Sequence, residues 1–486
     1  MCGIAGFCNL RDRDKQRNIA AMLDRIVHRG PDSSGTFYSE NGLVTFGHRR
    51  LSIIDVTETG SQPMTSHNGR YVLTYNGEIY NHQELKKRLI EDPGSGVSAS
   101  DFRGSSDSEI LLEAISSYGI KDTLTFCRGM FAFAVYDKEE DTVILARDRM
   151  GEKPLYYGKA GGAFAFASDI SSLKAIEGFD NEINRSVLPM YFMNGYISAP
   201  YTIFKDIFKL EPGCMLTIKA PFDLRNAVIT TYYDLKDAAI RGISKPFNGS
   251  FTEAADELER LLKSSVKGQM ISDVPLGAFL SAGTDSSTVV SIMQSISDQT
   301  VRSFTIGMSD PKYNEAEAAS AIASHLGTEH TELYITEDDA KKVIPDIPRM
   351  FTEPFADSSQ IPTYLVSKMT REHVTVSLSG DGGDELFNGY DRYPVFKGSW
   401  DRIRKYPYPV RSILGDLLAN NTYDPSSDKY VRGRMLKAKG AGDLYNISRE
   451  LDGGALNIVA DDKRALNNND TLDPRFLKDP YRQLML

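Results

Sequence analysis

The chain has 486 residues, 41% hydrophobic and 25% charged, with a formal net charge of −10. That length exceeds what one ordinary core organises and predicts two domains, and the mixture is globular, excluding a low-complexity or fibrous chain. The acidic balance argues against nucleic-acid and membrane-surface partners; no apolar run reaches membrane-spanning length, and no secretory leader is expected. Cys2, Cys8, Cys127 and Cys214 form no CxxC pair, so neither a disulfide framework nor a zinc site is indicated and a reducing, cytoplasmic compartment is expected.

From Cys2 to about residue 170 the chain reads as strands and hairpins with a few helices. LVTFGH, RYVLTYNGE, MFAFAVYD and TVILARD are β-rich runs bounded by Gly, Asp or Asn. Helical period appears at 17–27 (Ile19, Met22, Leu23, Ile26) and at 107–118 (Ile110, Leu111, Ala114, Ile115). Strands grouped in this way predict stacked sheets with helical cover.

The stretch 215–250 shows Pro, Gly and Asn punctuation and no clean period, which places a domain junction there, with domains at 2–215 and 216–486. After about 250, strand and helix alternate: LGAFLS, a helix through Val289, Met293 and Ile296, VRSFTIG, a helix closed by Gly327, TELYIT, helices through 337–371, and VTVSLSG. Alternation predicts a doubly wound parallel sheet whose ligand site lies at the carboxyl ends of its strands. The Gly- and Ser-rich turns 281–287 and 379–384 are therefore expected to face one crevice.

Cys2 follows the initiator Met, whose removal would give one residue both a thiol and an α-amine, a known pairing of nucleophile and base. Asn76 and Gly77 suit an oxyanion hole, placed at a strand-to-turn transition. Arg50 suits a substrate carboxylate, and Glu78 and Asp107 an ammonium. Each has another reading: Arg50 as a surface ion pair, Asn76-Gly77 as a hairpin turn, and Asp107 as a helix N-cap.

Taken together, HRGPDSSG at 28–35, GHRRLSIID at 47–55, NGEIYN at 76–81 and SDSE at 106–109 resemble the class II glutamine amidotransferases, and HRGPDSSG looks like their glutamine-hydrolysing asparagine synthetase branch. The resemblance implies an αββα N-terminal-nucleophile sandwich that hydrolyses glutamine. It carries over Cys2, Asn76 and Gly77 as catalytic and Arg50, Leu51, Ser52, Ile53, Ile54, Asn76, Gly77, Glu78 and Asp107 as glutamine-binding.

FLSAGTDSS at 279–287 is a strand, a small polar loop and a helix start, which suits an anion; its other reading is a Ser-rich cap. SLSGDGGDELFNGYDRY at 377–393 places Asp381, Asp384 and Glu385 in a Gly-rich turn, which points to magnesium held with phosphates. These segments resemble the ATP pyrophosphatase domain of asparagine synthetases. The resemblance implies ATP at Leu280, Ser281, Gly283, Asp285, Ser286, Ser287, Ile306, Ser379 and Gly380. It also implies Mg2+ at Asp285 and Asp384, Asp381 at the catalytic end, small-molecule partners, and a homodimer. The implied reaction adenylates a carboxylate, by default aspartate, and amidates it.

Three departures stand out. Ala282 replaces the first Gly of the usual Ser-Gly-Gly-x-Asp-Ser loop. No Arg lies between Glu353 and Lys368, where aspartate-using members carry Thr-Thr-x-Arg, which admits a uronic acid or nucleotide-sugar carboxylate as acceptor. The chain closes on DPYRQLML, before a helical segment that gives the family's synthetase step a lysine and an acid, so an incomplete C-terminus is expected. A glutaminase with an inactive synthetase half, and a non-enzymatic sensor, are the further readings; the second conflicts with intact Cys2, Arg50, Asn76 and Asp107.

Overall fold

The structure, a computed structural model, describes residues 1–10, 13–310, 314–420 and 427–449. The closing Leu484-Met485-Leu486 lies outside them. The first strands are β1 (Gly3–Cys8), β2 (Ser33–Tyr38), β3 (Val44–Arg50), β4 (Met64–Thr65), β5 (Tyr71–Ile79) and β6 (Gly129–Asp137). They are followed by β7 (Thr142–Arg147), β8 (Tyr156–Ala160), β9 (Ala163–Ala167), β10 (Ile207–Lys209), β11 (Cys214–Lys219) and β12 (Val228–Thr231). These build two six-stranded sheets, ordered β10-β8-β9-β1-β3-β2 and β12-β11-β7-β6-β5-β4. Every strand pair in them is antiparallel.

The period of two decides which side chains fill which layer. Along β1, Ile4 and Cys8 enter the core between the sheets with Phe46, Phe166, Ala134 and Leu145. Ala5 and Phe7 face the opposite way, onto Ile19, Met22 and Leu23 of the helix Lys15–Arg25. On the other sheet, Leu73 and Phe133 pack with Ile110, Leu111 and Ile115 of the helix Asp107–Tyr118. The result is the four-layer αββα sandwich.

The second unit holds β13 (Leu276–Phe279), β14 (Arg302–Met308), β15 (Glu329–Ile335) and β16 (Val376–Leu378), all parallel, ordered β15-β14-β13-β16. Between them run the helices Thr284–Ile296, Ala316–Leu326 and Gln360–Thr370. Gly327, at φ 73°, ends the second of these in a left-handed turn that a side chain would strain. Strand order reverses between β13 and β16, which opens a crevice at their carboxyl ends. Among the described residues no helix is long and apolar enough to cross a membrane.

Two expectations are corrected. The boundary at 215/216 falls inside β11, which pairs with β7 on one side and β12 on the other, so the sandwich runs on to Thr231. The stretch 215–250 is also not irregular. It contains β11, β12 and the helix Leu235–Ser244, capped by the Asp234 carboxylate, and its period is masked because β12 and that helix bury no residue.

Phe166 is fully buried between the sheets and meets Phe46 edge-on, with ring centroids 5.3 Å apart. Phe166→Ala is expected to cost about 3–5 kcal/mol through lost transfer energy and the cavity left behind, read as a lower urea midpoint with an unchanged slope.

Candidate functional site

Cys2 precedes a strand that is laddered on both edges, Gly3 opposite Arg49 of β3 and Ala5 opposite Ala167 of β9. The Leu51 N–H donates to Cys2 Sγ at 3.4 Å, and Arg29 Nε donates to the Cys2 carbonyl at 3.1 Å. Burial pushes the Cys2 thiol up, keeping it protonated at rest. Burial pushes the adjacent α-amine, carried by Met1, down to about 6, with the Arg29 and Lys153 cations acting in the same direction. The environment at the head of this strand thus favours the neutral form of an amine and the protonated form of the thiol.

A cavity of about 300 Å³ opens at Cys2 and is walled by Arg50, Leu51, Ile53 and Ile54. Asn76, Gly77, Glu78 and Asp107 close another side. Ser52 is not brought to the wall; its N–H is turned onto the Asp32 carboxylate at 2.8 Å. Arg50 is not a surface ion pair. It is 7% exposed, and its guanidinium donates to the carbonyls of Thr57, at 2.6 Å, and Asp55. Gly60 makes room for it, because a Cβ there would meet Arg50 Cζ at 2.9 Å.

Asn76-Gly77 is neither a hairpin turn nor a strand end. Both residues lie inside β5, opposite Ala132 and Phe131 of β6. A Cβ on Gly77 would meet Phe131 Cα at 2.7 Å, so the neighbouring strand explains the glycine. Asn76 is 1% exposed, and its Nδ2 has no hydrogen-bond partner among the described residues. A buried donor left unpaired costs about 1–3 kcal/mol, so its place on this cavity calls for a partner that the described residues do not supply.

Asp107 is not the N-cap of its helix; Ser106 is, its hydroxyl accepting the Glu109 N–H at 3.2 Å. That leaves the buried Asp107 carboxylate to accept from the Tyr75 hydroxyl at 2.7 Å and the Ile79 N–H at 2.8 Å. Burial pushes its pKa up. Burial also raises Glu78, to about 7, with the Lys153 ammonium opposing the shift.

Sequence reasoning missed Lys153, which is 5% exposed and lines the same cavity. Its loop is turned by the fully buried Asp148, whose carboxylate accepts the N–H groups of Phe131, Glu152 and Lys153 at 3.1, 2.9 and 2.9 Å. It also missed Thr375, Val376 and Ser377, which reach this cavity from the parallel sheet. A contact between segments some three hundred residues apart leaves no local signal.

The second cavity, about 810 Å³, lies at the carboxyl ends of β13, β14 and β16. Leu280, Ser281, Gly283, Asp285 and Ser286 supply one wall. Ile306, Ser379, Gly380, Asp381 and Asp384 supply others. Ser287 does not reach it, because its hydroxyl bonds back to the Gly283 carbonyl at 2.8 Å within the helix. The helix Thr284–Ile296 starts at Gly283 without a side-chain cap, leaving its first-turn amides for an anion. The cap reading of the serines is thus replaced by an internal brace, Ser281 Oγ to Ser286 Oγ at 2.8 Å. Ala282 is outside the left-handed region, so its Cβ brings no strain there.

The two loops touch only because glycine permits it. A Cβ on Gly380 would meet Ser286 N at 2.7 Å and Asp285 C at 3.0 Å, and one on Gly383 would strike the Asp285 carboxylate. Among the described residues no group of three or more His, Cys, Asp or Glu side chains forms a metal cluster. Asp285 and Asp384 on one polar cavity do fit Mg2+, which commonly takes one or two carboxylates and completes its shell with phosphate and water. Gly380→Ala is expected to weaken ATP binding at least tenfold while leaving glutamine hydrolysis intact, checked by calorimetric titration and a glutamate assay.

An antiparallel αββα sandwich headed by Cys2, next to a parallel sheet with an uncapped polar loop, is the architecture expected of a glutamine amidotransferase fused to a nucleotide-using synthetase. Residues 1–232 match the family model of the glutamine amidotransferase domain, and residues 257–459 that of asparagine synthase. The chain is 36% identical over 452 residues to putative asparagine synthetase [glutamine-hydrolyzing] 2 of Methanocaldococcus jannaschii, covering 89% of this chain and 83% of that one. It is 34% identical over 446 residues to asparagine synthetase [glutamine-hydrolyzing] 1 of Bacillus subtilis, covering 89% and 67%. With asparagine synthetase B of Escherichia coli the identity is 31% over 411 residues, covering 80% and 65%. The chain belongs to the glutamine-hydrolysing asparagine synthetase family and is an amidotransferase of that type, performing glutamine-dependent amidation.

Proposed function

We propose that the enzyme hydrolyses glutamine at Cys2 and uses the ammonia, with ATP, to convert aspartate to asparagine, releasing glutamate, AMP and pyrophosphate. The observation that carries the first half is the unpaired, buried Asn76 Nδ2 on the Cys2 cavity. With Met1 removed, the α-amine of Cys2 takes the thiol proton as Sγ attacks the glutamine side-chain carbonyl. Asn76 Nδ2 and the Gly77 N–H stabilise the oxyanion. The amine returns the proton to the departing nitrogen, so ammonia leaves and a thioester remains; water then releases glutamate. Arg50 holds the substrate carboxylate, and Asp107 and Glu78 its ammonium.

In the second cavity the acceptor carboxylate attacks the α-phosphorus of ATP and pyrophosphate leaves. Ammonia then attacks the acyl carbon and AMP leaves. The amides at the start of the helix Thr284–Ile296, with Ser281 and Ser286, hold the phosphates, while Leu280 and Ile306 give the nucleotide apolar walls. Asp285 and Asp384 would hold Mg2+, which supplies charge neutralisation on the pyrophosphate when bound. None of the described residues on this cavity is Lys or Arg, which makes that neutralisation the more necessary. The junction between the two catalytic units is placed between Thr231 and Ser250.

A sugar-acid acceptor is the second reading, favoured by the lack of any Lys or Arg from 354 to 367. Pyrophosphate release with glutamine, ATP and magnesium, measured with aspartate against a panel of uronic acids, separates the two. Glutamate formed without pyrophosphate under every acceptor would contradict the synthetase half.

Asn76→Ala is expected to lower kcat for glutamine hydrolysis about 10²–10³-fold, and Cys2→Ala to abolish it. Glu78 must be ionised to hold an ammonium, and burial sets its pKa at about 7. The KM for glutamine is therefore expected to rise as pH falls from 8 to 6, and Glu78→Gln to raise KM and flatten that dependence, both read from steady-state pH profiles.

A further inference from the structure

The Cys2 cavity has one wall that the amidotransferase sandwich does not supply. Thr375, Val376 and Ser377 form it, from the start of β16 in the parallel sheet. Thr375 is already engaged, its hydroxyl accepting from Arg371 at 3.2 Å. The Ser377 Oγ is buried and has no hydrogen-bond partner among the described residues. With Asn76 Nδ2 it is one of two such orphaned side-chain atoms whose residues line this one cavity. An unpaired buried hydroxyl costs about 1–3 kcal/mol, and such groups in folded proteins call for a missing partner.

This wall is fastened to the glutamine side of the cavity. The Asp273 N–H donates to the Ile53 carbonyl at 2.9 Å, and the Asp273 carboxylate accepts the Asp55 N–H at 2.8 Å. The Asp55 carbonyl in turn accepts from Arg50. Two residues beyond Asp273, the Pro275 carbonyl accepts the N–H groups of Thr375 and Val376 at 2.9 and 3.3 Å. Ser377 then lies opposite Gly277 in the parallel pair of β13 and β16. One short block, 273–277, thus holds both the loop behind Arg50 and the strand that carries Ser377.

We propose that Ser377 is a glutamine-binding residue contributed by the synthetase domain, its hydroxyl hydrogen-bonding the bound amino acid. The proposal rests on the reading of this cavity as the glutamine site. It makes that site a joint product of the two domains, with Asp273 as the positioning residue that seats the wall.

The test is glutamate release by the full chain, with Ser377→Ala, Ser377→Thr, Asp273→Ala and Cys2→Ala. A neutral hydrogen bond of about 0.5–1.5 kcal/mol corresponds to a two- to twelvefold change. Ser377→Ala is expected to raise the KM for glutamine by about that factor, with kcat within twofold; Ser377→Thr restores it, and Asp273→Ala raises KM as well. Alkylation of Cys2 by iodoacetamide, which needs no glutamine contact, should keep the parent rate in Ser377→Ala; a changed rate assigns the KM effect to a distorted cavity and overturns the proposal. A KM within twofold of the parent in Ser377→Ala, with Cys2→Ala inactive, overturns the Ser377 assignment alone. Glutamate release retained by Cys2→Ala overturns the glutamine reading and the proposal with it.

Discussion

The position of Cys2 depends on a strand with no free edge. Because β1 is paired on both sides, to β3 and to β9, the residue ahead of it cannot fray as most termini do. The same pairing delivers Cys2 to the Leu51 N–H and to Arg29, and the Met1 amine ahead of it lies where burial lowers proton affinity. The position proposed for the nucleophile therefore follows from one backbone ladder, and Asn76 lines the cavity that opens beside it.

The cavity proposed for the nucleotide is formed where two turns approach closely. The order β15-β14-β13-β16 brings the turns after β13 and β16 to one crevice. Glycine at 380 and 383 lets the second turn lie against Ser286 and Asp285 of the first. Acidic side chains gathered there with no cation among the lining residues form a site that suits a polyphosphate only together with a metal ion.

Much of this architecture is legible in the sequence because period and punctuation agree. Short β-rich runs bounded by Gly, Asp or Asn mark β3, β5, β6 and β7, and the repeating strand–helix order marks the parallel sheet. What is not legible has physical reasons. Asn-Gly reads locally as a turn, and only the neighbouring Phe131 shows why a glycine sits inside β5. A run such as Leu51 to Ile54 says nothing of which member faces inward, and Ser52 turns onto Asp32. The hairpin of β11 and β12 hides because β12 is exposed and its pattern is not amphipathic. Lys153 and Ser377 reach the Cys2 cavity through long-range packing, which no spacing encodes.

The central claim is that processing makes Cys2 the nucleophile of a glutamine site. The most direct measurement is the intact mass and peptide map of the protein after reaction with a diazoketone analogue of glutamine. The account predicts a chain beginning at Cys2 with a single adduct on that residue, prevented by excess glutamine. An adduct on Cys8, Cys127 or Cys214, or full glutaminase activity in a chain that retains Met1, would contradict it.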